Sequence, residues 1–164
     1  MTNQKDDSRA RLVIERFTEA GLTVATAESC TGGLIAGALT DIAGSSAVVD
    51  RGFVTYSNEA KSEMLGVPEN LIAEHGAVSE PVARKMAEGA LEKAGVDRTV
   101  AVTGIAGPGG GSKQKPVGLV HFAVAILGEE TRHEEIVFPE ANRDSVRKQT
   151  VAHALRLLLE TIHN

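Results

Sequence analysis

The chain has 164 residues, of which 42% are hydrophobic and 24% are charged, a balance typical of one ordinary globular domain. A net charge of −5 and an aromatic content of 3% argue against a nucleic-acid partner. Duplex binding requires clustered Lys and Arg, and single strands stack on exposed aromatic rings. We therefore expect a single domain over residues 1–164 that does not bind nucleic acid.

Cysteine usage and the N-terminal sequence indicate the compartment. The only cysteine, Cys30, cannot form a disulfide within the chain, which fits a reducing environment. The first twelve residues are polar and contain no apolar signal-peptide region. No apolar run approaches the length of a membrane span. These features predict a cytoplasmic protein without a membrane partner.

Hydrophobic periodicity and turn residues predict the following elements in chain order. Helices are expected over residues 7–20, 34–42, 59–65, 68–76, 79–95 and 142–162. Strands are expected over residues 23–27, 48–56, 99–103, 117–127 and 131–138. Strands and helices alternate through residue 103, and a hairpin follows. This order predicts a three-layer α/β/α domain with a mixed, mostly parallel sheet.

The chain is organised around residues 23–38, which read as a strand, a glycine turn and a helix. Such a corner leaves backbone N–H groups unpaired at the start of the helix, where an anion or a developing oxyanion can bind. Ser29 and Cys30 place two possible nucleophiles there. The alternative is a plain capped turn, because Ser, Thr and Gly are ordinary at such positions. The segment matches neither the Walker A loop nor the GxGxxG fingerprint.

A nucleophilic serine needs a base, and no Ser-His-Asp arrangement is legible. None of the five histidines has a metal-ligand spacing to a cysteine, an aspartate or another histidine. Lys61 follows a strand end on a short helix, and burial could lower its pKa enough for it to act as the base. A solvated surface lysine is the alternative. Cys30 ranks second as the nucleophile, provided that the helix terminus lowers its pKa.

Further candidates lie beyond the predicted strand ends. If their strands run parallel, Ser29, Tyr56 and Thr103 meet at one edge of the sheet, where ligands of open α/β sheets bind. The glycine loop 107–111 could wrap a phosphate. Arg143 and Arg147 begin the last helix, where the helix dipole disfavours cations, so they could be held for an anion. The alternatives are an ordinary turn and a solvated helix face.

Four motifs in order resemble the CinA C-terminal domain family, which includes stand-alone nicotinamide-nucleotide amidohydrolases of the PncC type. The motifs cover nearly the whole chain: AESCTGG at 27–33, IAGSSAVVDRGFVTYSNEAK at 42–61, HGAVSEPVA at 75–83 and TGIAGPGGGSKQKPVGLV at 103–120. The resemblance implies hydrolysis of nicotinamide mononucleotide to nicotinate mononucleotide and ammonia, a step of NAD recycling. It also implies a homodimer without metal or cofactor.

The resemblance assigns residues as well. Ser29 is the implied nucleophile and Lys61 the implied base. Substrate-binding positions carried over by motif are Cys30, Thr31, Gly32, Gly33, Ser46, Tyr56, Thr103, Gly107 and Arg143. A second hypothesis is a non-catalytic, regulatory nucleotide-binding domain that keeps the pocket without turnover. A third is a hydrolase of a different small amide.

Overall fold

The structure is a computed structural model that describes residues 4–139 and 142–162. Its helices are α1 Gln4–Ala20, α2 Leu34–Thr40, α3 Asn58–Leu65, α4 Glu69–His75, α5 Glu80–Ala94 and α6 Arg143–Glu160. Its strands are β1 Val24–Glu28, β2 Val49–Val54, β3 Arg98–Gly104, β4 Leu119–Ile126 and β5 Arg132–Val137. A short 3₁₀ helix, Ser45–Ala47, precedes β2 and was not predicted. Over the described ranges, no helix is long and apolar enough to cross a membrane.

The five strands form one sheet in the order β2-β1-β3-β4-β5. Strand β1 pairs in parallel with β2 and β3, whereas β4 runs antiparallel to β3 and β5. Four of the five strands therefore point the same way, which confirms the predicted mixed, mostly parallel sheet. The carboxyl ends of β1, β2 and β3 meet at one edge, as the sequence predicted for Ser29, Tyr56 and Thr103.

Helices cover both faces of this sheet, because side chains alternate along each strand. On one face, Val100, Val102 and Phe122 pack into a cluster with apolar residues of α1, α2 and α6. On the other face, Ala101 and Ala123 join a cluster with residues of α3, α4 and α5. The three-layer α/β/α architecture is thus confirmed. Because the second face carries small side chains, α5 can approach the sheet closely.

Gly89 makes the close packing of α5 against α3 possible. A Cβ atom at this position would lie 1.9 Å from the carbonyl oxygen of Leu65. We expect Gly89→Ala to destabilise the protein by about 1–3 kcal/mol through overpacking, measured by urea unfolding. Gly37→Ala in α2 is the control, since a Cβ there meets nothing within 4 Å. That change should be neutral or stabilising by up to about 1 kcal/mol; equal effects of both substitutions would contradict the explanation.

Candidate active site

The site begins where β1 ends, because two consecutive side chains leave the strand on opposite faces of the sheet. Glu28 points to the side of α2 and accepts hydrogen bonds from its first turn. Ser29 points to the side of α3, where its hydroxyl contacts Lys61. The alternation of side chains along the strand therefore places the Glu28 carboxylate and the Ser29 hydroxyl on opposite faces of the sheet, although the two residues are neighbours in sequence.

Glu28 is fully buried and organises the turn that follows it. Its carboxylate accepts hydrogen bonds from Thr31 Oγ1 at 2.6 Å, from the Ile35 N–H at 2.8 Å and from the Ala36 N–H at 3.1 Å. A negative charge at a helix N-terminus is favourable, because it satisfies N–H groups that have no partner within the helix. The sequence analysis gave Glu28 no role. The available signal was an acidic residue between a buried strand and a glycine turn that opens a helix.

Ser29 and Lys61 form a hydrogen-bonded pair, with 3.0 Å between Oγ and Nζ. Helix α3 follows β2 almost directly, and the Ser57 hydroxyl caps it by accepting a hydrogen bond from the Ala60 N–H at 3.0 Å. Because the connection is short, the start of α3 lies close to the end of β1. Lys61 is only 1% exposed, and its Nζ donates to the carbonyl oxygens of Thr55 at 2.8 Å and Tyr56 at 3.3 Å.

Burial lowers the pKa of Lys61 below its ordinary value of 10.5, because a charged amine loses hydration in the interior. The charge that Cys30 would carry as a thiolate opposes this shift. Among the described residues, the hydrogen-bond partners of Nζ are one hydroxyl and backbone carbonyls, with no carboxylate to hold the ammonium form. A neutral amine can direct its two N–H bonds to Thr55 and Tyr56 and offer its lone pair to the Ser29 proton.

Cys30 does not meet the condition for acting as the nucleophile. Burial raises the pKa of its thiol to about 12, and the charge of Glu28 adds to the effect. The start of helix α2 does not lower the pKa of this thiol, because its N–H groups at Ile35 and Ala36 already donate to Glu28. The thiol is therefore protonated at neutral pH, and Ser29 remains the better candidate.

A cleft of about 270 Å³ opens in front of the Ser29–Lys61 pair. Its lining includes seven of the predicted site residues: Ser29, Cys30, Tyr56, Lys61, Thr103, Gly107 and Arg143.

Arg143 bridges two other lining residues, because its guanidinium donates to Gly107 O at 2.9 Å and to Tyr56 Oη at 3.1 Å. Thr103 supports the wall by donating to Ala77 O at 2.9 Å. Asn58 also lines the cleft, although the sequence analysis did not select it.

The other four predicted residues do not line this cleft. Thr31 is fully buried and donates its hydroxyl to Glu28. Gly32 and Gly33 form the far part of the turn, both with left-handed backbones. Ser46 lies in the 3₁₀ helix before β2, whereas the cleft lies beyond the opposite end of that strand. A direct contact of these four residues with substrate stays a prediction.

Not every N–H group of the turn is free to bind an oxyanion. The Gly32 N–H donates to Ser29 O at 3.1 Å, and the Leu34 N–H donates to Thr31 O at 3.1 Å. Within the described part of the chain, the N–H groups of residues 30, 31 and 33 donate to no other residue. The N–H groups of residues 30, 31 and 33 are therefore the candidate donors to an oxyanion.

Arg147, one helical turn after Arg143, contacts the backbone that follows Ser29. Its guanidinium lies over the turn at residues 30–33, with Nε donating to Cys30 O at 3.1 Å and Nη2 to Thr31 O at 3.4 Å. It is absent from the cleft lining. Arg147 is half-buried and its guanidinium donates to backbone carbonyls, and anion binding by this side chain stays a prediction.

Two histidines that are distant in sequence meet in the β4–β5 hairpin. His121 Nδ1 lies 2.9 Å from His133 Nε2, and His133 Nδ1 lies 3.0 Å from Glu80 Oε1. Spacing along the chain did not reveal this pair, because the antiparallel register brings the two strands together. Across the described ranges, no group of three or more His, Cys, Asp and Glu side chains is placed to hold a metal ion.

The fold and the site together define an α/β protein with a Ser/Lys pair of the kind that acts in nucleophilic amide hydrolysis. The model of the CinA C-terminal domain matches residues 6–162, and the chain belongs to this family. It is 58% identical over 159 residues to the nicotinamide-nucleotide amidohydrolase PncC of Escherichia coli strain K12, covering 96% of this chain and 95% of that protein.

Two other similarities place the chain within the family. It is 54% identical over 153 residues to a CinA-like protein of Akkermansia muciniphila, and the match covers 93% of this chain but only 37% of that longer relative. The crystal structure of the competence/damage inducible protein CihA from Agrobacterium tumefaciens superposes with a TM-score of 0.95 at 53% identity. That superposition covers 98% of this chain and 97% of the other.

Proposed function

We propose that this protein hydrolyses the carboxamide of nicotinamide mononucleotide to nicotinate mononucleotide and ammonia. The observation that carries the proposal is the hydrogen-bonded Ser29–Lys61 pair at the floor of a cleft. The high identity to PncC over nearly the full length of both chains supports the choice of substrate. A catalytic pair in hydrogen-bond contact also favours an enzyme over a regulatory module that only binds a nucleotide.

In the first half of the reaction, neutral Lys61 accepts the hydroxyl proton of Ser29 while Oγ attacks the carboxamide carbon. The carbonyl π electrons move to oxygen, and the resulting oxyanion lies against free N–H groups of the 30–33 turn. Protonated Lys61 then gives its proton to the amide nitrogen. The C–N bond breaks, ammonia leaves, and the nicotinoyl group remains as an ester on Ser29.

In the second half, water replaces ammonia in the same position. Lys61 accepts a proton from water as the water oxygen attacks the ester carbon, and a second tetrahedral oxyanion forms. Collapse of this intermediate breaks the bond to Ser29 Oγ, which takes back the proton from Lys61. The products are the regenerated pair and the nicotinic acid group, which loses its remaining proton to solvent to become the carboxylate, so one water is consumed for each ammonia released.

The charges of the cleft suit an anionic substrate, although the protein as a whole has a net charge of −5. The guanidinium of Arg143 lines the cleft, and none of the described lining residues is a carboxylate. The glycine loop contributes Gly107, Gly109 and Gly110, whose backbone can approach a phosphate closely. Arg143 and this loop are therefore the proposed phosphate ligands, and Tyr56 and Thr103 border the space left for the pyridine ring and ribose.

The test is ammonia release from nicotinamide mononucleotide, with nicotinamide riboside as the matched substrate that lacks the phosphate. We expect turnover of the nucleotide and a value of kcat/KM about 10- to 100-fold lower for the riboside, since it loses charge-assisted hydrogen bonds. Binding of the nucleotide without ammonia release would favour the regulatory domain. Equal rates for both substrates, or preference for another amide, would favour a different small-amide hydrolase.

Following the family resemblance, we also propose that the protein acts in the cytoplasm as a homodimer. Light scattering coupled to size-exclusion chromatography measures this assembly directly. A mass near twice the 17.2 kDa of one chain is the expected result, and a monomer mass across the working concentration range would contradict it.

A further inference from the structure

The guanidinium of Arg147 is hydrogen-bonded to the backbone of residues 30–33, the turn after Ser29 that we call the nucleophile turn. It donates to the carbonyl oxygens of Cys30 and Thr31, the two residues that follow Ser29. A Cβ atom on Gly32 would lie 3.5 Å from Nη2, so the guanidinium also covers the glycine at the centre of the turn. Arg147 lies one helical turn after Arg143, which reaches the other side of the cleft at Gly107 and Tyr56.

Two charged side chains thus hold the turn through different groups. The buried carboxylate of Glu28 accepts from Thr31 Oγ1 and from the N–H groups of Ile35 and Ala36. The guanidinium of Arg147 donates to the carbonyl oxygen of Cys30 and to that of Thr31, which also accepts a hydrogen bond from the Leu34 N–H. Hydrogen bonds to charged groups are stronger than neutral ones, so this arrangement limits the motion of the backbone next to Ser29.

The contact also fixes the direction of a backbone donor. In a trans peptide the C=O and N–H bonds point in opposite directions. Since Cys30 C=O points to Arg147, the N–H of Thr31 in the same peptide points away from it. The next peptide has its N–H at Gly32, which already donates to Ser29 O. Arg147 therefore orients the Thr31 N–H, which has no protein acceptor among the described residues, and its charge polarises that peptide.

We propose that Arg147 is a positioning residue for amide hydrolysis, which holds the nucleophile turn so that its free N–H groups stabilise the oxyanion. The proposal rests on the proposed function. Arg147 contacts neither Ser29 Oγ nor Lys61 Nζ and does not line the cleft, so its effect passes through the backbone of residues 30 and 31. It should therefore affect the transition state more than the binding of substrate.

The first test is steady-state kinetics of Arg147→Ala on nicotinamide mononucleotide. Loss of one oriented oxyanion donor predicts a decrease of about 10²-fold in kcat, with KM within about three-fold of wild type. Added guanidinium ion should restore part of kcat, and Arg147→Lys should retain an intermediate value because an ammonium lacks the fork geometry. Lys148→Ala is the control, since this exposed lysine pairs with Asp144 on the same helix.

A second readout separates this proposal from the choice of substrate. Fluorophosphonates phosphonylate an activated serine: Oγ attacks phosphorus through a pentacoordinate transition state, and fluoride leaves. The phosphoryl oxygen gains negative charge in this step and occupies the oxyanion site, so the labelling rate of Ser29 reports oxyanion stabilisation for any natural substrate. Slower labelling of Ser29 in Arg147→Ala, with rescue by guanidinium, supports the positioning role of Arg147. This holds even if the wild-type protein releases no ammonia, because the absence of ammonia release would contradict only the proposed function. If folded Arg147→Ala has the kcat and the labelling rate of the wild-type protein, the positioning role of Arg147 is refuted. If that variant does not fold, Arg147→Lys decides in the same way.

Discussion

Ser29→Ala is expected to abolish hydrolysis of nicotinamide mononucleotide, with a decrease in kcat of at least about 10⁴-fold, as for other enzymes that lose a serine nucleophile. The reason is that Ser29 Oγ is the hydroxyl in hydrogen-bond contact with Lys61, at 3.0 Å from Nζ. Substrate binding should persist, because the proposed phosphate ligands, Arg143 and the glycine loop, lie elsewhere in the cleft. Ammonia release and nucleotide binding by calorimetry, measured on the same sample, separate these effects.

Cys30→Ala is the matched control, because it removes a possible nucleophile from the adjacent position. Its thiol has a pKa raised to about 12 by burial, so it carries almost no thiolate at neutral pH. We expect this variant to retain at least about a tenth of wild-type kcat, the loss reflecting repacking of a buried side chain. Activity that survives Ser29→Ala but disappears in Cys30→Ala would move the nucleophile by one residue and refute the assignment.

Lys61→Met is expected to lower kcat by about 10²- to 10⁴-fold, the range attributed to general acid–base catalysis. The base must be neutral, so wild-type kcat/KM should rise with pH through the pKa of Lys61 and then level off. Burial lowers this pKa, so the rise should lie below the ordinary lysine value of 10.5. In Lys61→Met this rise should be absent, because the titrating group is gone.

Folding and surface charge need separate controls in this experiment. Methionine fills a similar volume and removes a buried amine, so Lys61→Met should be as stable as wild type or more stable. Lys85→Met replaces an exposed lysine that pairs with Glu88, and its pH profile should match that of wild type. The role of Lys61 would be untenable if the rise in kcat/KM persisted unchanged in Lys61→Met.

Most of the fold could be predicted from the sequence, because periodicity and turn residues are local signals. The order of elements up to Thr103 implied parallel strands, and the hairpin after it implied the antiparallel pair. The 3₁₀ helix Ser45–Ala47 was missed because a single turn has no hydrophobic period. The convergence of Ser29, Tyr56 and Thr103 followed from the rule that ligands bind beyond the ends of parallel strands.

Details of the site were harder to predict from the sequence, because they depend on contacts between residues that are distant in the chain. The sequence suggested Lys61, but its burial requires the tight connection between β2 and α3. Arg147 was expected either to bind an anion or to be solvated, since nothing local indicates that it reaches backbone carbonyls 116 and 117 residues away. The contact between His121 and His133 likewise depends on hairpin register rather than on spacing.

The alternation at the end of β1 gives the site a dependence on strand register. Glu28 and Ser29 occupy opposite sides of the sheet, so a shift of the strand by one residue toward its carboxyl end would put Glu28 at the position of Ser29 and Ala27 at that of Glu28. The carboxylate would then face Lys61, and the two would form a buried ion pair in place of the hydrogen bond between Lys61 and Ser29. Helix α2 would at the same time lose the anion at its N-terminus. The register of this five-residue strand therefore determines both the Ser29–Lys61 contact and the anion at the start of α2. Single-residue insertions or deletions within β1 should be far less tolerated than substitutions that keep its length.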